Sequence, residues 1–137
     1  MYRLAYVSTA DDDLSAYDLQ DILEAAIRNN GKVGVSGTVL FNGLNFLQIL
    51  EGPEAAVENI YARICMDERH AHVVTIFRES GVRRCFDDSP MTLNTVKCEV
   101  GDLPDGLALS SNIDLFIPAG LPSYLRGMIS SFNTMRA

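Results

Sequence analysis

The spacing of hydrophobic positions changes several times along the chain. From Tyr2 to Ser8, β-forming residues alternate, which predicts a short strand. Asp11, Asp12 and Asp13 break that pattern, and Ser15 stands three residues before Asp18, a capping box with Asp in place of Glu. Leu19, Ile22, Leu23, Ala26 and Ile27 then recur at helical spacing and predict an amphipathic helix over 16–29. Asn29-Asn30-Gly31 is expected to end it as a left-handed cap. Gly34 to Phe41 reads as a second strand, Asn42-Gly43 is a strong hairpin signal, and Asn45 to Glu51 is the return strand. Pro53 suits the first turn of a second helix, whose apolar stripe is Ala56, Val57, Ile60, Tyr61 and Ile64. His72 to Arg78 and Met91 to Cys98 supply a fourth and a fifth strand.

The order β-α-β-β-α-β-β predicts an α+β, ferredoxin-like plan, with a five-stranded mixed sheet and two helices on one face. The segment 100–118, rich in Gly, Pro and Asp, reads as a linker. Beyond it, Leu121, Tyr124, Leu125, Met128, Ile129 and Phe132 fall at helical spacing. A helix that short must bury its stripe. Val7, Leu47 and Ile49 leave the other sheet face apolar, so the tail is expected to cap that face or to mediate self-association. This divides the chain into residues 1–98 and a C-terminal linker and helical extension over 99–137.

One strand face carries the wrong chemistry. In Asn45 to Gly52 (NFLQILEG), Phe46, Gln48 and Leu50 share a side, and in the first strand Tyr2, Leu4, Tyr6 and Ser8 do. The two strands are neighbours in the expected plan, so Tyr6 and Gln48 project together toward the helices. A buried phenol and a buried amide each need a partner, since an unpaired polar group costs about 1–3 kcal/mol. They can satisfy one another and a backbone carbonyl, or they can hold a polar ligand between helices and sheet. Arg63 and Asp67, spaced i, i+4, read either as a solvated ion pair or as a ligand contact, and Arg69-His70 follows at the expected helix end.

Composition narrows the partners. The chain has 137 residues, 47% of them hydrophobic, enough for one core. Its net charge of -7 and pI near 4.6 argue against nucleic acid and against anionic membranes as direct partners. Three cysteines, with no C-x-x-C, indicate neither a disulfide framework nor a zinc site, and read as reduced thiols. No secretory leader and no apolar run long enough to span a membrane stands in the sequence, so the expected location is cytoplasmic.

Taken in order, RLAYVS, DLQDIL, NN-x5-SG, F-x-QILEG, YARI-x-x-DERH and R-x-F-x4-M resemble a BLUF domain, a flavin-based blue-light sensor, over about residues 2–95. The resemblance implies FAD bound noncovalently between the two helices, its ring edge toward the sheet. It places Gln48 between Tyr6 and the flavin near N5 and C4=O, and Asn30, with Asn29 nearby, on the C4=O and N3 edge. Arg63 and Asp67 would approach the pyrimidine side, Arg69 and His70 the ribityl or ribose portion, and Ile22 the ring. FMN or riboflavin are alternative occupants.

It further implies photochemistry without turnover, a sensor and not an enzyme. Tyr6 gives an electron and then a proton, the proton passing through Gln48, which is left rotated or tautomerised, and the flavin band moves to the red. Met91 matches the family methionine that contacts Gln48 or replaces it in contact with other groups. Many members carry Trp two residues before it; here that place is Ser89 and the chain has no Trp. This puts in doubt any output that depends on a moving Trp. Pro90 suits an edge or the start of a strand. The short chain resembles single-domain BLUF proteins that signal to a separate partner protein as homodimers or larger assemblies. Two other readings are a degenerate BLUF module that binds partners without photochemistry, and a small acyl-phosphatase-type enzyme; the acidic VSTADDD stretch opposes the second.

Overall fold

The computed structural model describes residues 1–10, 18, 21, 25, 31–41, 45–67, 70–86, 92–95, 108–109 and 121–134. Its strands are β1 (Tyr2–Ala10), β2 (Ser36–Phe41), β3 (Asn45–Gly52), β4 (His70–Ser80), β5 (Thr92–Thr95) and β6 (Ala108–Leu109). The helices whose bounds fall among the described residues are α1 (Glu54–Cys65) and α2 (Ser123–Thr134). One sheet runs in the order β4-β1-β3-β2-β5-β6. The first four strands pair antiparallel, whereas β5 lies parallel to β2, and β6 parallel to β5. The architecture is α+β, built on an antiparallel four-strand sheet with helices.

Three expectations need correction. The sheet has six strands among the described residues, not five, because Ala108–Leu109, inside the supposed linker, pairs with Asn94 and Thr95 of β5. An open strand edge offers unpaired N–H and C=O groups, and two extended residues suffice to take some of them up. Of the two places that suit Pro90, an edge or the start of a strand, that pairing takes away the edge. The stop at Asn29-Asn30-Gly31 is displaced: Gly31 and Lys32 are still helical, and it is Gly34, at φ +73, that takes the left-handed turn. Of the helix expected over 16–29, the described positions Asp18, Asp21 and Ala25 are helical, and its packing lies outside the described residues. Finally, His70 is not at a helix end but opens β4, paired with Ala10.

Central β1 and β3 are covered on both sides, which is why apolar letters fill nearly every position rather than alternating. On one face, Val57, Ile60 and Tyr61 of α1 pack against Leu4, Tyr6, Phe46 and Leu50. Phe41 and Phe46, opposite one another across the β2–β3 hairpin, stack at 4.8 Å and close that end. On the other face, Leu121, Leu125, Ile129 and Phe132 of the tail pack against Ala5, Leu40, Leu47 and Ile49. Tyr124, counted in the tail's apolar stripe, is instead half exposed and used for its hydroxyl.

The tail face also hides a charged pair. Arg3 and Glu51 face each other across β1 and β3, each no more than 1% exposed. Arg3 Nε donates to Glu51 Oε2 at 2.8 Å, Nη1 to Tyr124 Oη at 2.8 Å and Nη2 to Arg83 O at 2.8 Å. Glu51 Oε1 accepts the backbone N–H groups of Cys85 and Phe86, both at 2.8 Å. The pair therefore ties β1, β3, the loop after β4 and the tail helix together, with its hydrogen-bonding capacity filled. Among the described residues no helix is long and apolar enough to cross a membrane, and no cluster of His, Cys, Asp and Glu could hold a metal ion.

Candidate functional site

The register of β1 against β3 sets Tyr6 directly opposite Gln48. Both are buried, Tyr6 completely and Gln48 at 4% exposure. The Tyr6 hydroxyl donates to Gln48 Oε1. It is one of the two readings the sequence leaves open for the pair, and with Gln48 Oε1 accepting from Tyr6 the donors of the amide are those on Nε2. An amide so oriented suits a ligand edge made of acceptors, such as a carbonyl oxygen beside a ring nitrogen, and flavin carries such an edge. The residues present therefore fit the implied group.

Tyr6 sits under α1. Its ring centroid lies 5.2 Å from that of Tyr61, with the planes at 37°. Tyr61 in turn bonds Thr75 Oγ1 through its hydroxyl at 2.5 Å and lies under the Arg78 guanidinium, 5.5 Å from the ring centroid. Burial pushes the Tyr6 phenol well above its ordinary value, helped by the nearby Tyr61, Cys65 and Asp67 groups. Burial likewise raises Tyr61 and Tyr124. Tyr2 is pushed up to about 12, by burial first and then by its hydrogen bond to Glu58.

These shifts have a signed consequence. Above pH about 10 the unfolded chain releases phenolic protons that the native state keeps. The unfolded state then binds fewer protons, so stability falls as pH rises through the alkaline range. Urea unfolding midpoints should drop steadily above pH about 10, and Tyr6→Phe should flatten that slope by up to about 1.4 kcal/mol per pH unit. An unchanged slope in the variant would show that the Tyr6 phenol titrates as an exposed one.

The sequence-predicted set divides as follows. Tyr6 and Gln48 are brought together. Arg63 is exposed near the end of α1, and Asp67 lies beyond the helix rather than on it. Met66 caps the helix, its N–H donating to Arg63 O at 3.1 Å, and the Asp67 N–H bonds Ile64 O at 3.0 Å, so the last turn tightens before Asp67. Asn29, Asn30, Ile22, Arg69 and Met91 lie outside the described residues, as does the side chain of His70. Reasoning from the sequence missed Thr75, the hydroxyl that anchors Tyr61. It read Tyr61 as core alone.

Comparison with known proteins gives the family. A family model described as BLUF, sensors of blue-light using FAD, matches residues 1–92. The blue light- and temperature-regulated antirepressor BluF of Escherichia coli K12 is 38% identical over 90 residues, covering 66% of this chain and 22% of that protein. The photoactivated adenylate cyclase subunit beta of Euglena longa is 34% identical over 131 residues, covering 89% of this chain and 15% of that protein. The chain thus spans less than a quarter of the length of these curated relatives. Among solved structures, Klebsiella pneumoniae BlrP1 in its manganese and cyclic diGMP complex matches with a TM-score of 0.78 at 29% identity, over 96% of this chain and 32% of that one. A buried tyrosine–glutamine pair on adjacent central strands and a family match over two thirds of its length lead to one conclusion: the chain belongs to the BLUF family of blue-light sensors.

Proposed function

We propose that this chain is a blue-light receptor that binds FAD noncovalently against Gln48 and passes its state to a separate partner protein. The observation that carries the reading is the buried hydrogen bond from Tyr6 to Gln48 Oε1. When bound, the flavin supplies a strong oxidant on absorbing blue light. Tyr6 is the electron donor, and its phenolic proton has a ready acceptor in the Gln48 oxygen it already faces. Gln48 then rotates or tautomerises, exchanging which of its atoms donates and which accepts. With Tyr6 restored, the new hydrogen bonds of Gln48 would persist until thermal relaxation. Asn30, with Asn29, would hold the carbonyl edge of the ring; Arg63, Asp67, Arg69 and His70 would line its remaining polar portions, with Ile22 against the ring and Met91 beside Gln48.

The antirepressor of Escherichia coli and the cyclase subunit of Euglena longa carry BLUF-like segments within much longer chains. By analogy, the readout here is a protein partner, contacted by a cytoplasmic homodimer or larger assembly in which residues 1–98 sense and 99–137 extend the surface. The test is a light-minus-dark absorption spectrum of the purified protein. The flavin band should move to the red under blue light and recover in darkness. Colourless protein that takes up no FAD, or bound flavin whose band does not move, would overturn the proposal.

A further inference from the structure

The row to which Tyr6 belongs continues past it on the other side. Thr75 of β4 lies opposite Tyr6, just as Gln48 of β3 does. That placement requires an irregularity. Pairing runs Leu4 with Arg78 and Ala5 with Phe77, and regular continuation would put Ile76 opposite Tyr6. The register instead shifts by one residue between Ala5 and Tyr6, Ile76 is left over at 43% exposure, and Thr75 takes its place. A bulge of this kind re-aims side chains. Here it exchanges an isoleucine for a hydroxyl on the face that carries Tyr6.

That hydroxyl holds Tyr61 Oη at 2.5 Å, and the Tyr61 ring is the one packed on Tyr6 at 5.2 Å. Tyr61 is 6% exposed and is held a third way by Arg78 above its ring. A leucine at this place on α1 would fill similar space but could not be fixed in orientation by a hydrogen bond. An aromatic ring tethered at its hydroxyl end is a rigid wall for the ring beside it.

We propose that Tyr61 and Thr75 are positioning residues for Tyr6: through the tethered Tyr61 ring they hold the plane of the Tyr6 ring, and with it the direction of its O–H toward Gln48. The kinetic consequence rests on the photochemical reading above, because the way back to the starting hydrogen bonds runs through the Tyr6 hydroxyl. The positioning itself is a property of the protein in darkness and is tested there.

The experiment is carbon NMR of the purified protein labelled with [4-13C]tyrosine, the Tyr6 resonance being assigned with Tyr6→Phe. Thr75→Val keeps the shape of the side chain without the hydroxyl, and Tyr61→Phe keeps the ring without its tether. Both should shift or broaden the Tyr6 resonance in darkness, and Thr75→Ser should restore the parent signal. In the light experiment, both should change the dark-recovery rate by at least about threefold while Thr75→Ser does not. A Tyr6 resonance unmoved by Thr75→Val and by Tyr61→Phe, or a Thr75→Ser signal no different from that of Thr75→Val, would overturn the positioning role. A parent protein with no light-induced shift would sink the photochemical reading alone, since the dark NMR comparison still decides the positioning.

Discussion

Replacing Glu51 with Gln is expected to lower the unfolding free energy by about 3–5 kcal/mol, read as a large drop in urea midpoint. Glu51 faces donors on every side: Arg3, and the backbone N–H groups of Cys85 and Phe86. Gln keeps the shape but turns an NH2 group toward one of those donors and removes the charge that balances Arg3. The buried guanidinium then keeps only Glu79, at 3.6 Å and partly exposed, as an ion-pair partner among the described residues. Arg3→Met alone should cost a similar amount, for the converse reason. The double variant Arg3→Met with Glu51→Leu should lose less than the sum, because no unbalanced charge remains. It should not return to the parent, because the two N–H groups at Cys85 and Phe86 still lack their acceptor. Strict additivity of the two single variants would mean that the pair is not energetically coupled.

Gln48→Leu is expected to abolish the light-induced red shift while leaving flavin bound. Leu fills the same part of the interior but has neither donor nor acceptor, so there is nothing to exchange partners. Losing one hydrogen bond to the ligand should cost about 1 kcal/mol, roughly a fivefold weaker affinity for FAD. The absorption change should therefore vanish at flavin occupancies that remain high, which separates loss of switching from loss of cofactor. Tyr6→Phe should do the same by removing the hydroxyl that addresses Gln48 Oε1. A normal shift in either variant would place the switch elsewhere.

How much of this was legible beforehand depends on whether a residue's role is written in its own letter. Gln48 and Tyr6 are polar letters at apolar positions of two strands, and adjacency of those strands follows from the order of elements, so their meeting could be read directly. The same antiparallel register also faces Arg3 with Glu51, but charges near strand ends resemble ordinary solvent-exposed ones, and it is the loop after β4 and the tail helix, both bonded to the pair, that make it interior. Thr75 was not readable. By simple alternation its neighbour Ile76 should point inward, and the bulge that reverses this is a property of the β1–β4 pairing rather than of the segment itself. Two glycines competed to end the first helical segment, and Gly34 took the left-handed turn where Gly31 had been expected to. β6 is two residues long and exists through its neighbour, so no window of sequence announces it.

The central seam has a mechanical consequence. Tyr6 faces Gln48 on one side of the sheet, and three residues along the same two strands Arg3 faces Glu51 on the other. A slide of one residue would present Gln48 and Glu51 each to the wrong surface. The seam is therefore held from above and below, and a slip in register is opposed on both faces at once. The lower bolt also joins the seam to the tail helix at Tyr124, whose hydroxyl is bonded to Arg3.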